Sequence, residues 1–162
     1  MACKSSSPLI QDDVLVFDRR ARRLQLSQRR HNTAVRQVGL LVAWLAHRGF
    51  LESTTFPDHA ALLEAVRKRE VRGSKLVEAA LPRGLWDIHL KDLPGFRHFA
   101  FEWMHNIGGK YIRDDLVTVF GSREGPYGHA EAVLDNDDWQ AVDKATPVLD
   151  RRFAEWEPAA RR

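Results

Sequence analysis

The sequence contains very little cysteine: Cys3 is the single thiol among 162 residues. One thiol cannot form an intramolecular disulfide and cannot supply the several thiolates of a multi-cysteine zinc site, so both kinds of stabilised small domain are excluded. Long hydrophobic runs are also lacking, since the longest, Val38 to Ala46, covers about half of the roughly 20 residues that cross a bilayer. The first residues lack the apolar stretch of a signal peptide. We therefore expect a protein of the reducing cytoplasm that is not associated with a membrane.

The charge is unevenly distributed along the chain. The whole sequence has 25 Lys and Arg against 22 Asp and Glu, a net charge of +3. Residues 1–37 contain eight bases and three acids and carry +5, whereas the rest of the chain contains 17 bases and 19 acids and carries −2. The basic character therefore belongs to an N-terminal segment, and the remaining body is mildly acidic.

We interpret residues 1–30 as a basic, extended N-terminal arm and residues 31–158 as a helical domain. Arginines can neutralise phosphates with release of counterions, or they can dock on an acidic protein surface. A solvated charged segment without a partner is the third interpretation. Apart from His31, no aromatic residue lies between Arg19 and Arg36, which favours a protein partner over nucleic acid. The partner-binding candidates in the arm are Arg19, Arg20, Arg22, Arg23, Arg29 and Arg30.

Helical spacing of apolar residues dominates the body and predicts a mainly α, compact single domain of five or six helices. Asn32 or Thr33 is expected to cap the first helix and Gly49 to end it, and its apolar residues on nearly all sides place Trp44 in the core. Asn136 is expected to cap the last helix, which Pro147 would kink or split. The predicted helices cover residues 31–48, 58–70, 74–80, 94–106, 111–120 and 137–156.

The remaining segments give less regular patterns. Residues 13–17 and 22–26 are predicted as short strands, and a small β element is possible there or at residues 129–134. Residues 85–90 fit either a helix or a strand, and the glycine-rich residues 121–128 are expected to form a loop.

One helix carries a set of side chains with the spacing of metal ligands. His98, Glu102 and His105, at positions i, i+4 and i+7, share a helical face, and Glu102 to His105 has the Glu-x-x-His form of di-iron bundles. Such bundles need a second copy of that motif, which the sequence lacks, and one helix rarely supplies three zinc ligands. We therefore expect no metal and no cofactor, with a polar surface as the simpler interpretation of this face.

No motif in the sequence supports an enzyme. Asp114 and Asp115 are adjacent, so on a helix their side chains would point about 100° apart, unlike an acid/base pair. One of them is expected to pair with Lys110 or Arg113 or to cap the helix. The segment Gly108-Gly109-Lys110 lacks the first glycine and the final Ser or Thr of a phosphate loop, and there is no Gly-x-Ser-x-Gly elbow.

Four segments together resemble an uncharacterised family of bacterial domains of unknown function. They are Val38–Gly49, Val66–Ser74, Phe99–Glu102 with Tyr111–Leu116, and Trp139–Trp156 with its closing sequence Pro-Val-Leu-Asp-Arg-Arg-Phe-Ala-Glu-Trp. The resemblance covers residues 35–156, and the closing sequence is its most specific part. It implies binding candidates at polar positions, with an ion-pair network between helices as the alternative. These positions are Glu102, Tyr111, Asp114, Asp115, Asp150, Arg151 and Arg152.

Small single-domain members of such families are similar to immunity proteins, which accompany secreted bacterial toxins. The resemblance therefore implies a cytoplasmic protein-binding domain that neutralises a cognate toxin or effector. The alternatives are a nucleic-acid-binding module that uses the arginine-rich arm, and a metal-binding helical protein.

Overall fold

The computed structural model describes residues 8–10, 24–81, 84–104, 110–124 and 130–160. Within these residues the protein is mainly α-helical, with six α-helices and two short antiparallel sheets, which confirms the predicted fold class. Three 3₁₀ turns also occur, at Ser53–Thr55, Pro57–His59 and Asp87–His89. The principal elements are β1 (Pro8–Ile10), α1 (Leu24–Arg48), α2 (Ala60–Arg67), α3 (Gly73–Ala80), β2 (Leu85–Trp86), α4 (Phe96–Met104), a π-helical segment (Tyr111–Asp115), α5 (Leu116–Phe120), β3 (Ser122–Glu124), β4 (Ala130–Ala132) and α6 (Trp139–Ala160).

Helix α1 lies at the centre of the molecule and is longer than predicted. It begins at Leu24, so residues 24–30 are helical, and their assignment to an extended arm and to a strand at residues 22–26 was wrong. The leucines, glutamines and arginines of this stretch favour a helix, and no helix-breaking residue separates them from the apolar part. Asn32 and Thr33 lie inside the helix and do not begin it.

The C-terminal end of α1 is formed as predicted. Gly49 has φ +76°, and the amides of Gly49 and Phe50 donate to the carbonyls of Ala46 and Leu45. This pair of hydrogen bonds is the Schellman motif, in which a glycine adopts the left-handed conformation without a steric penalty. Trp44, one turn earlier, is only 2% exposed, which confirms its predicted place in the core.

Helices α1 and α3 cross so closely that only glycine fits at the contact. A Cβ atom on Gly73 would lie 1.9 Å from the carbonyl oxygen of Gly39, and a Cβ on Gly39 would lie 2.6 Å from the backbone nitrogen of Ser74. Buried Leu76 and Val77 continue the apolar face of α3 beside this crossing. The two backbones are therefore in direct contact through a pair of glycines.

Helix α2 is shorter than the predicted 58–70 helix, because it ends in a tight turn. The amides of Arg69 and Glu70 donate to the carbonyls of Val66 and Ala65, which is again a Schellman motif. Here the left-handed position is occupied by Arg69, with φ +65°, and not by glycine. The turn leads directly into α3, which begins at Gly73.

The two sheets are small, and one of them was not fully predicted. In the first, β1 pairs with β2, and the ambiguous residues 85–90 form strand β2 followed by a 3₁₀ turn. In the second, β3 and β4 form a hairpin in which Arg123 faces Glu131. A β element within residues 129–134 is thus confirmed, whereas residues 122–124 form a strand and not the expected loop. The strand predicted at residues 13–17 lies outside the described residues.

Helix α6 runs from Trp139 to Ala160 as one element, so Pro147 does not split it. Its N-terminal cap is Asp138, whose carboxylate accepts from the amide of Ala141 at 2.9 Å. The predicted cap, Asn136, instead accepts from the amide of Asp138 and forms the preceding turn. No helix among the described residues is long and apolar enough to cross a membrane.

Candidate functional site

The closing sequence of α6 ties the helix to the rest of the fold. Asp150 accepts a hydrogen bond from the indole N–H of Trp44 at 3.1 Å and also pairs with Arg48 at the end of α1. Asp150 therefore connects α6 to α1, although Trp44 and Arg48 each precede it by more than 100 residues in the sequence. The ion-pair network that we considered as an alternative for this position is confirmed.

Asp115 and Arg152 form a buried ion pair between the π-helical segment and α6. Their side chains are only 3% and 15% exposed, and the guanidinium Nη2 lies 2.9 Å from Oδ1 of Asp115, with Nε 3.0 Å from both carboxylate oxygens. The indole N–H of Trp103 in α4 donates to the same carboxylate at 2.8 Å. Three elements thus meet at one carboxylate.

This geometry corrects two predictions about Asp115. Asp115 pairs with Arg152, and among the described residues neither Asp114 nor Asp115 forms the predicted ion pair with Lys110 or Arg113. A buried carboxylate with three donors is also not a surface for a partner. The bond to Asp115 also raises the pKa of the Arg152 guanidinium above its usual value. Arg152 reaches Glu155 with its other nitrogen, which extends the network to the surface. Asp114, the neighbouring residue, is exposed as a partner-binding residue requires.

Tyr111 is also an internal residue and not the predicted contact for a partner. It is completely buried, and its hydroxyl donates to the carbonyl of Gln37 in α1 at 2.5 Å. Burial raises the pKa of the Tyr111 hydroxyl well above its usual value, and the negative charges of Asp115 and Asp137 raise it further. The hydroxyl therefore stays protonated and holds the π-helical segment against α1.

An aromatic cluster surrounds these polar contacts. Phe153 of α6 lies 4.7 Å from Phe50 and 5.2 Å from Trp156, measured between ring centroids, and Trp156 lies 4.9 Å from Phe96. Trp44 meets Trp103 edge to face at 5.9 Å. Such pairs add stability beyond the burial of their area. In the closing sequence, Phe153 and Trp156 thus contribute to this cluster, and Asp150 and Arg152 contribute to the ion pairs.

Asp137 has a structural role that the sequence pattern did not indicate. The last helix was predicted to begin at residue 137, but Asp137 lies before α6, and only 3% of its surface is exposed. Its carboxylate accepts from the amide and the hydroxyl of Ser74 at 3.0 and 3.1 Å and so caps the first turn of α3. Burial raises the pKa of Asp137, and the hydrogen bonds from Ser74 oppose that rise. No local signal could have identified a cap 63 residues away.

His89 is a second residue, after Asp137, whose structural role the sequence pattern did not indicate. Its Nδ1 accepts from the backbone amide of Trp86 at 2.9 Å, and its ring lies 5.5 Å from that of Phe56. Burial lowers the pKa of the His89 imidazole, although the hydrogen bond with the backbone of Trp86 and the nearby carboxylate of Asp87 act in the opposite direction. The neutral ring thus holds the turn that follows β2.

The predicted metal-ligand face is a surface feature in the part that the structure describes. His98 Nε2 lies 3.3 Å from Glu102 Oε1, and the two side chains are 80% and 68% exposed. His105 lies outside the described residues. Among the described residues, no three His, Cys, Asp or Glu side chains are placed to hold a metal ion. Glu102 is available at the surface, as a partner-binding residue must be.

Most of the arginine-rich arm cannot be compared with its prediction. Arg19, Arg20, Arg22 and Arg23 lie outside the described residues, whereas Arg29 and Arg30 belong to α1. The basic segment is therefore partly helical. In the closing sequence Arg151, unlike Asp150 and Arg152, is exposed.

An open groove of about 410 Å³ lies beside the N-terminus of α6. Phe120 and Leu134 form its apolar wall, and the Lys144 ammonium lies 5.3 Å from the ring of Phe120. Asn136 and Asp138, which also line it, are occupied by the turn and the cap of α6. These two polar groups of the groove therefore serve the local fold.

Comparison of the chain with models of protein families, with curated proteins and with solved structures gives no match in any of the three.

Proposed function

We propose that this chain is a cytoplasmic protein-binding domain, of the immunity type, that neutralises a cognate bacterial toxin or effector. The observation that carries the proposal is the contrast between its buried and its exposed charges. In the described residues, the buried carboxylates of Asp115 and Asp137 accept hydrogen bonds on both oxygens, whereas several exposed charged side chains, among them Arg113, Asp114 and Arg151, form no ion pair.

The carboxylates that connect the helices are poorly suited to catalysis. Asp115 accepts from Trp103 and Arg152, Asp137 accepts from Ser74, and Asp150 accepts from Trp44 and Arg48. A general acid or base needs a free oxygen within hydrogen-bond reach of a substrate. Since these oxygens are already used between helices, their arrangement supports a rigid scaffold and favours binding over chemistry.

The exposed charges are suited to a protein interface. Arg113, Asp114 and Arg151 are exposed, and none of them has an ion-pair partner within the described part of the chain. Charges at the rim of an interface direct association and select the partner, while aromatic and arginine anchors supply most of the affinity. A helical domain of this size offers the roughly 800 Å² per partner that a standard interface needs.

The test is co-expression of the chain with the product of the adjacent gene. We expect the two proteins to co-purify at a fixed ratio, and we expect cells that express the neighbour alone to stop growing. A reversed-charge variant of exposed Asp114, Asp114→Lys, should reduce both binding and protection if that face contacts the neighbour. A neighbour that is neither toxic nor bound by the chain would refute the proposal.

The second candidate is a nucleic-acid-binding module that uses the arginines of residues 19–30. Its affinity for a random duplex should fall steeply with salt and disappear when Arg19, Arg20, Arg22, Arg23, Arg29 and Arg30 are all replaced by glutamine. Full-length protein that passes through heparin at low salt would remove this alternative.

A further inference from the structure

A basic surface lies on the turn that joins α2 to α3. We call residues 68–75 the basic turn, because they include four cations, Lys68, Arg69, Arg72 and Lys75, against one acid, Glu70. Arg69 pairs with Asp143 at 2.6 Å. Lys68, Arg72 and Lys75 are exposed, and among the described residues no carboxylate approaches any of them within ion-pairing distance. These three cations thus form no direct ion pair within the described residues, although the charge of Arg72 also lowers the pKa of the Asp137 carboxyl.

The backbone that carries these cations is fixed at both ends. At the α2 end, the Arg69 guanidinium lies 4.8 Å from the centre of the Trp139 ring in α6, and the Trp139 indole donates to the carbonyl of Val71 at 3.0 Å. At the α3 end, the carboxylate of Asp137 holds Ser74, and Gly73 rests on α1. The cations therefore project from a preorganised turn, which lowers the entropic cost of binding a partner.

The strained residue of the turn supports the same conclusion. Arg69 occupies a left-handed position that glycine adopts more easily, and the conformation costs a non-glycine residue of this kind free energy. In return, its side chain joins the turn to Trp139 and Asp143. The turn is consequently held in place by a side chain and not only by its backbone.

The surroundings of the turn favour an acidic protein over nucleic acid. Single strands bind by stacking bases on exposed aromatic rings, but Trp139 is covered by Arg69 and meets the ring of His47 at 5.7 Å. Sequence-specific readout of a duplex usually places a helix in the major groove, but α3 is packed backbone to backbone on α1 at Gly73. The three cations are therefore better suited to carboxylates on the surface of a folded protein than to single-stranded or duplex nucleic acid.

We propose that the basic turn is a docking site for an acidic surface of a partner protein, through Lys68, Arg72 and Lys75. The inference rests on the proposed function, since it names the chemistry of the partner's contact. The docking site can also be tested without the partner, because a flexible polymer of carboxylates should bind to the same three cations.

The experiment compares two full-length triple variants with equal charge changes. The test variant is Lys68→Gln, Arg72→Gln, Lys75→Gln, and the control is Lys91→Gln, Lys110→Gln, Lys144→Gln, at exposed positions outside the turn. Poly-L-glutamate and a random DNA duplex are the two probes, at fixed low salt. We expect the test variant to bind poly-L-glutamate about tenfold more weakly than the wild type, and the control variant to change it less than about twofold.

Equal losses in the two variants would overturn the inference, because binding would then depend only on net charge. A larger loss for the duplex than for poly-L-glutamate in the test variant would also overturn it, in favour of a nucleic-acid surface. The adjacent gene's product separates this inference from the proposed function. Binding of that product that is unchanged in the test variant refutes the docking site alone, whereas no binding to the wild type refutes the proposed function.

Discussion

Gly39 and Gly73 allow two helices to touch through their backbones, a contact that no larger residue permits. The sequence pattern does not identify these glycines as a pair, because Gly39 lies inside one predicted helix and Gly73 lies immediately before another. Their importance depends on a neighbour that lies 34 residues away in the chain and becomes visible only in three dimensions. Gly49, in contrast, was identified from its position after the last helical residue, because its role is local.

Replacement of Gly73 by alanine should severely destabilise the protein. The added Cβ would lie 1.9 Å from the carbonyl oxygen of Gly39, so α1 and α3 must separate. We expect a loss of more than about 3 kcal/mol, or failure to fold, since backbone atoms cannot give way as a flexible side chain can. The matched control is Gly49→Ala, which has open space and only a positive φ, and should cost about 1 kcal/mol. Urea denaturation measures both, and similar losses would contradict the steric argument.

His89 should make stability depend on pH below its usual pKa of 6.5. Because burial lowers the pKa in the folded state, the unfolded chain binds more protons as the pH falls, and stability is lost on acidification. Protonation of Nδ1 would also remove the hydrogen bond from the Trp86 amide. Urea midpoints measured from pH 7.5 to about pH 5 should fall less for His89→Asn, which keeps an acceptor without titrating there. Identical slopes in the two proteins would refute this assignment.

Among the elements, the α2–α3 turn shows how a side chain can replace the usual glycine. The pattern around residues 67–70 indicated the wet side of a longer helix, and nothing in it indicated a left-handed residue at position 69. The reason lies in α6, where Trp139 and Asp143 hold the Arg69 guanidinium. A long-range contact thus decides where a local helix ends.

Two substitutions at position 69 separate the strain from the contact. Arg69→Ala and Arg69→Gly both remove the guanidinium, but only glycine relaxes the left-handed backbone. We therefore expect Arg69→Gly to be more stable than Arg69→Ala by about 1 kcal/mol. The difference between their free energies of unfolding in urea measures the strain. If the alanine variant is equally stable, the backbone at this position is not strained.

The sequence correctly predicted that a long helix closes the chain at α6, but it did not predict the contacts of this helix. Its extent followed from helical spacing, but its cap is Asp138 and not Asn136. Asp115 and Arg152 belong to segments separated by 37 residues, and spacing along one helix cannot pair them. The resemblance singled out both residues, and their role is to support the fold.

The buried pair should be very sensitive to loss of one partner. Asp115→Ala leaves the Arg152 guanidinium and the Trp103 indole without their acceptor, and we expect a loss of about 3–5 kcal/mol. The neighbouring Asp114→Ala, at an exposed position, should change stability by less than about 0.5 kcal/mol. Thermal or urea unfolding of the two variants tests the contrast. A small effect at position 115 would show that the pair contributes little.

In the whole molecule, one hydrophobic core includes residues of α1 through α6. Buried residues as far apart in sequence as Leu40 and Leu149 belong to the same cluster. The sequence predicted this single mainly α core, because helical periodicity and the apolar run Val38–Ala46 within α1 are strong signals. It could not predict the hairpin at residues 122–124, whose sequence Ser-Arg-Glu has no strand pattern and is paired by β4.

A single core predicts a single unfolding transition. Trp44, Trp103 and Trp156 are each at most 9% exposed and report on contacts between α1, α4 and α6. Far-UV circular dichroism reports on all the helices. We expect urea curves from tryptophan fluorescence and circular dichroism to coincide, as for small two-state domains. Curves with separate midpoints would indicate that part of the molecule unfolds independently.

The cap that Asp137 provides for α3 has a consequence for vectorial synthesis. On the ribosome, residues 73–80 emerge well before Asp137. The amide and hydroxyl of Ser74 therefore lack their acceptor until Asp137 has been synthesised. The indole N–H of Trp44 lacks its acceptor for longer still, until Asp150 has been synthesised. The nascent chain can therefore form its early helices, but it completes their packing only after the last helix has left the exit tunnel.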